Sequence, residues 1–193
     1  MENRVEKMPR AFIAIDVSEE VRKRIVEAQE QLRATGADVK LVEPPNIHVT
    51  LKFLGEVPEK RVEEIAAALG RAVNGAKKFD IGVRGMGVFP NLSYIRVIWV
   101  GVERGRDEIL ELHRKIEKEL QQMGFRPEAD FVPHLTVARV RTAKNKERLA
   151  GFIKEKAAVD FGTSRVLAVE LKQSTLTPKG PIYSTLARLE LQD

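Results

Sequence analysis

The chain has 193 residues, carries 33 Lys and Arg against 28 Asp and Glu, and contains no cysteine. Such a length fits one domain or two small lobes on a shared core. The lack of cysteine excludes disulfides, thiolate nucleophiles and Cys-ligated zinc or iron–sulfur sites, while a net charge of +5 favours a polyanionic partner without naming one.

The N-terminal MENRVEKMPRAFIAIDV has no apolar stretch of signal-peptide length. No segment reaches the roughly 18 consecutive apolar residues of a spanning helix. The expected location is therefore cytoplasmic, with no membrane partner. Abundant Lys, Arg and Glu would suit a thermophile.

In chain order, RAFIAIDV (10–17) is apolar throughout and reads as a buried strand. Asp16 and Ser18 are candidate N-caps for a helix over 18–36, with Val21, Ile25, Ala28 and Leu32 on one face and Gly36 as its stop. DVKLVEPPN brings a short strand and a Pro-Pro stop. IHVTLKFLGEV (47–57) alternates as a strand, and Pro58 opens an amphipathic helix over 58–73. Residues 78–91 alternate, with three glycines that predict bulges or close backbone approach. They pair with 93–102 as a hairpin around FPNLS. A helix over 106–124 is the clearest of all, followed by a strand over 130–141 and a short helix over 142–157. Residues 164–180 and 181–191 close the chain as one hairpin.

This order of hairpins and helices predicts an α+β fold rather than a doubly wound parallel sheet. It also hints at duplication: each half holds a helix, a His-x-Thr on a strand, another helix and a strand pair. We read one domain over 1–193, with a soft lobe division near 90–105.

The His-x-Thr triplets carry the chemistry. Of three histidines, two are followed by Thr two positions on: His48 with Thr50, and His134 with Thr136. Chance placement of three His and eight Thr would give roughly 0.1 such triplets. On a strand, residues i and i+2 share a face. His48, Thr50 and Lys52 are therefore expected in one row, with Val49, Leu51 and Phe53 behind them in the core. His134 and Thr136 repeat the arrangement in front of Leu135 and Val137.

Two such faces meeting across a cleft would suit phosphodiester chemistry without a metal. A neutral imidazole can take a proton from water while a protonated one donates to the leaving oxygen. The Thr hydroxyls can hold non-bridging phosphate oxygens. Lys52 and Arg139 are the candidate phosphate cations. Arg139 lies five residues after His134, so it reaches the same face only if the strand bulges or ends near Val137. Zinc is disfavoured, since neither motif has another ligand at suitable spacing. His113, on the third helix, reads as a structural or surface residue.

NIHVTLKFLGEV and FVPHLTVARV together resemble the paired signatures of the two-histidine (2H) phosphoesterases, in the branch of the RNA 2′,3′-cyclic phosphodiesterases, also known as 2′-5′ RNA ligases. The opening RAFIAIDV, the GVFPN…RVIWVGV middle and the closing STLTPKGPIYSTLARLEL extend the resemblance over essentially the whole chain. It implies a bilobal, pseudo-twofold fold with two antiparallel or mixed sheets flanking a central cleft and helices outside. It implies hydrolysis of a terminal 2′,3′-cyclic phosphate to a 2′-phosphate, reversible 2′-5′ joining of RNA ends, and no cofactor or metal.

By motif, the resemblance makes His48 the general acid, His134 the general base, and Thr50, Thr136 and Arg139 the phosphate contacts. Phe12 falls where the family often has a base-stacking aromatic, and Tyr183 is a weaker candidate for the same role. The expected partners are RNA ends, tRNA fragments among them, and the expected state is a monomer. A non-catalytic RNA-binding module is the alternative of a different class. A 2H enzyme acting on small cyclic nucleotides or 2′-5′ oligonucleotides is a third reading.

Overall fold

The computed structural model describes residues 8–128, 130–178 and 180–193. Residues 1–7, which the expected 1–193 domain includes, lie outside them. Each segment with apolar residues at helical spacing forms a helix: α1 (Glu19–Ala34), α2 (Val62–Val73), α3 (Arg106–Gln122) and α4 (Lys146–Glu155). On α1 the spacing buries Val21, Ile25, Ala28 and Leu32. Ser18 is its N-cap, its hydroxyl accepting from the Val21 N–H and two acids filling the first turn. Among the described residues no helix is long and apolar enough to cross a membrane.

The strands are β1 (Arg10–Asp16), β2 (Val39–Leu41), β3 (His48–Glu56), β4 (Phe79–Asn91), β5 (Tyr94–Val102), β6 (His134–Val140), β7 (Asp160–Val166), β8 (Ala168–Thr177) and β9 (Gly180–Glu190). They order as β7-β4-β5-β6-β3-β1-β8-β9, with β2 also paired to β6. All of these pairings are antiparallel. The helices pack on one face over Ile13, Ile15, Leu51, Ile98, Val100, Leu135 and their neighbours, all but fully buried. The bilobal α+β architecture holds.

Two details differ from the sequence reading. The expected two sheets are one, because β3 and β6 meet at a single pair, Val49↔Leu135. That rung joins β7-β4-β5-β6 to β3-β1-β8-β9. The closing hairpin is also preceded by a strand of its own. β7 pairs with β4, whereas β8, one residue later, pairs with β1 in the other half of the sheet. Only Leu167 separates them, and no Gly or Pro marks the break. Local punctuation could not have revealed it.

Candidate active site

The Val49↔Leu135 rung fixes the geometry. Continuing its antiparallel register sets His48 beside Thr136 and Thr50 beside His134. Directly opposed residues lie about 5 Å apart and diagonal ones about 7–8 Å. The two imidazoles are thus diagonal neighbours across the rung, each beside the other motif's hydroxyl, while Val49 and Leu135 anchor the strands in the core at 0% exposure.

Beyond the motifs both strands bulge in the same way. In β3, Ile13 pairs with Lys52 but Ala14 with Thr50, leaving Leu51 as the extra residue. In β6, Ile98 pairs with Ala138 but Trp99 with Thr136, leaving Val137 extra. A bulge puts two consecutive residues against one partner and resets the alternation. Leu51 and Lys52 are both buried, as are Val137 and Ala138. The residue five positions after each His therefore returns to the row of that His: Phe53 on β3 and Arg139 on β6. The bulge that Arg139 requires is present.

The same device corrects two expectations. Lys52 does not continue the His48 row. It is 3% exposed, its Nζ donating to Glu117 Oε1 at 2.6 Å and to the Arg126 carbonyl at 2.8 Å behind the sheet. Phe53 is not core: it is 65% exposed and lines the cleft. Strict period-2 alternation missed it, and the repeated five-residue offset from each His was the signal that could have found it.

The cleft encloses about 180 Å³ and is lined by His48, Thr50, Phe53, Thr136, Arg139 and Tyr183, with Lys40 and Asn46 at its rim. His134 stands next along the Thr136 row, its ring 5.1 Å from Phe89 and 6.2 Å from Trp99. Trp99 can lie across β4 because Gly87 faces it; a Cβ there would fall 2.2 Å from the indole. Phe12 is on β1 but is 3% exposed. Its ring stacks on His48 at 5.1 Å, and Tyr183 covers it edge-on at 4.8 Å. Phe12 therefore props the imidazole and offers no free face to a base. Tyr183 is half-buried, 5.5 Å from His48, and remains in the cleft.

Hydrogen bonds set the ring states. His134 Nδ1 lies 2.7 Å from the Val132 carbonyl. A carbonyl only accepts, so Nδ1 carries hydrogen and Nε2 of the neutral ring holds the lone pair. His48 Nε2 lies 3.0 Å from Thr50 Oγ1. Burial, and then the Lys172 ammonium, push His48 down to about 4, against the opposing pull of Asp16 and a hydrogen bond to the Asn46 backbone. Burial also lowers His134, with Arg139 adding to it and the Val132 bond opposing. Both rings are neutral at pH 7 in the free protein.

The Lys172 charge is itself held by Asp16 at 2.8 Å and Glu170 at 3.1 Å. Asp16, a candidate cap in the sequence, belongs to this network beneath His48; Ser18 is the cap. Among the described residues, the carboxylate–imidazole group close enough to approach a metal is His113, Glu117 and Glu128. It lies behind the sheet, where the Lys52 ammonium already occupies Glu117. His113 is buried and stacked on Phe131 at 4.0 Å, as befits a structural residue.

The arrangement, two neutral imidazoles diagonal across a cleft with two hydroxyls and one guanidinium, can pass protons to and from an anion held between them. Comparison with known proteins shows the family of the chain. The profile of the family described as LigT like Phosphoesterase matches twice, over residues 15–99 and 100–183. A Methanothermobacter thermautotrophicus protein named RNA 2′,3′-cyclic phosphodiesterase is 46% identical over 177 residues, 92% of this chain and 96% of its own. A Thermotoga maritima protein of the same name is 41% identical, over 95% of this chain and 96% of its own. The crystal structure of a Thermus thermophilus protein superposes with a TM-score of 0.81 at 31% identity, covering 95% of this chain and 98% of that one. E. coli LigT complexed with 3′-AMP shares the fold, with a TM-score of 0.80 at 23% identity, over 97% of this chain and all of that one. This chain belongs to the LigT-like phosphoesterase family.

Proposed function

We propose that this protein is an RNA 2′,3′-cyclic phosphodiesterase that opens the terminal cyclic phosphate to a 2′-phosphate by two-histidine acid–base catalysis, without a metal. The observation that carries the reading is the single Val49↔Leu135 rung, which sets the two His-x-Thr rows diagonally about one cleft. The names of relatives up to 46% identical over most of the chain support it.

The cyclic phosphate sits between the rows, its non-bridging oxygens accepting from Thr50, Thr136 and Arg139. Water attacks phosphorus in line with the P–O3′ bond. Its proton passes to His134 Nε2, the lone pair that the Val132 bond leaves free. The P–O3′ bond breaks, and O3′ takes a proton from His48. His48 gains that proton when the bound phosphodiester anion offsets burial and the Lys172 field. With the 5′-hydroxyl of a second RNA attacking in place of water, the same forward steps join ends through a 2′-5′ bond, and run backwards they cleave it to the cyclic phosphate. Phe53 and Tyr183 offer the terminal base its stacking surface. Lys52 and Phe12 have no direct part. We read the chain as one cytoplasmic, monomeric, bilobal domain divided near 90–105, each half supplying one His-x-Thr strand.

The test is hydrolysis of a short RNA with a 2′,3′-cyclic end, in excess EDTA, by the native protein, His48→Ala and His134→Ala. Turnover to a 2′-phosphate is expected, with each variant slower by about 10²–10⁴. Activity abolished by EDTA, or retained in both variants, overturns the reading.

A further inference from the structure

A second cavity opens where β6 leaves the cleft. It encloses about 310 Å³ and is lined by Tyr94 and Arg96 at the start of β5, Arg141 just past β6, and Lys146 at the first turn of α4. Among the described residues no acidic one lines it. Among the described residues, too, the side chains of Arg96, Arg141 and Lys146 make no ion pair or hydrogen bond. Many other arginines of the chain do have a carboxylate, as Arg114 has Glu111 and Arg188 has Glu170. Tyr94 is 63% exposed beside these cations.

The start of α4 offers uncapped backbone donors, with Glu147 in its first turn but outside the cavity lining. Asn145 precedes the helix without capping it. Its amide donates instead to the Thr35 and Gly36 carbonyls. The first N–H groups of α4 thus keep no side-chain acceptor, and a helix start left so favours an anion.

The cavity shares no lining residue with the cleft but lies next to it along the chain. Arg139 lines the cleft and Arg141, two residues on, lines the cavity. Two residues of extended chain span roughly 6.6 Å, comparable with the spacing of successive phosphates on a single RNA strand. A cationic track with an interleaved exposed aromatic is the arrangement that holds single-stranded nucleic acid irrespective of sequence, phosphates on the cations and a base on the ring.

We propose that this cavity binds the RNA upstream of the cyclic end: Arg141, Lys146 and Arg96 take the phosphates that precede the terminal nucleotide, and Tyr94 stacks one upstream base. The inference rests on the functional reading above and narrows its substrate to an RNA strand rather than a mononucleotide. The terminal base lies at the Phe53 end of the cleft, and the chain leaves past Arg139.

The experiment compares 2′,3′-cyclic CMP with a pentaribonucleotide ending in the same cyclic cytidine, for the native protein, Arg96→Ala/Arg141→Ala/Lys146→Ala and Tyr94→Ala. Binding of the fluorescein-labelled pentanucleotide 2′-phosphate is followed in parallel by anisotropy. The native protein should prefer the pentanucleotide in kcat/KM by about tenfold or more. The triple variant should lose about tenfold or more on the pentanucleotide at 0.1 M salt and keep its rate on the mononucleotide. Its binding should also depend less on salt, the log–log slope falling by about 2 for three lost contacts to a single strand. Equal native rates on the two substrates, an unchanged pentanucleotide rate in the triple variant, or equal losses on both substrates would each overturn the proposal. If the native protein hydrolyses neither substrate, the functional reading falls. Anisotropy then decides the cavity alone: pentanucleotide binding weakened by about tenfold in the triple variant supports it, and unchanged binding overturns it.

Discussion

Replacing Lys52 with Met separates a structural lysine from a phosphate-binding one. In the fold its ammonium is 2.6 Å from Glu117 Oε1 and 2.8 Å from the Arg126 carbonyl, with the two side chains 3% and 8% exposed. Removing one partner of such a pair leaves a buried carboxylate uncompensated, at a cost of about 3–5 kcal/mol. Glu117 Oε2 already has no hydrogen-bond partner among the described residues. His113 lies 3.5 Å from Glu117, but burial disfavours its protonation. For a chain of this length each kcal/mol moves Tm by about 2–4 °C, so Lys52→Met should lower it by roughly 6–20 °C. Lys52→Met/Glu117→Leu removes both charges and should regain most of the loss. Measured well below Tm, kcat/KM on a cyclic-phosphate RNA should stay within about twofold of native, because the ammonium is behind the sheet. Calorimetric melting and steady-state kinetics on the same preparations decide it. A variant with native Tm and a tenfold higher KM would refute the reasoning, since Lys52 would then reach the phosphate.

Arg139→Ala should reduce kcat/KM by about 10²–10³ at unchanged Tm, with Arg139→Lys recovering only part, because one ammonium cannot reproduce a guanidinium fork; a full recovery would make Arg139 a diffuse charge rather than a phosphate contact. Both limbs of the kcat/KM profile should lie below pH 6.5, since burial and then Lys172 hold the free-enzyme His48 at about 4 and burial also lowers His134. Lys172→Met relieves the penalty on the His48 imidazolium, so one limb should move to higher pH; an unmoved profile would remove Lys172 from the site's electrostatics. Phe53→Ala should leave the melt unchanged, as a 65% exposed ring contributes little to it, but weaken nucleotide binding by the ~1–3 kcal/mol of one stacked base. Phe12→Ala should do the reverse in the melt, costing about 3–5 kcal/mol from the core. Equal melts for the two would contradict their opposite burial.

The sequence by itself determined the helices and most strands, because periods of 3.6 and 2 are written locally in which residues are apolar. It likewise singled out His48, Thr50, His134 and Thr136, since i and i+2 on one strand share a face wherever that strand ends up. The tertiary structure decided everything that depends on pairing between distant strands. Leu51 and Val137 become bulges only through the register against β1 and β5, and those bulges send Lys52 into the core and bring Phe53 and Arg139 to the cleft. Leu167 divides β7 from β8 only because β4 and β1 supply two different partners. The lowered pKa of His48 arises from burial, with Phe12 stacked on its ring, and then from Lys172, neither of which its own strand contains. A period-2 pattern assumes an unbroken ladder, and where a long-range partner breaks that ladder, the face a residue takes is set by the partner and not by its own position in the chain.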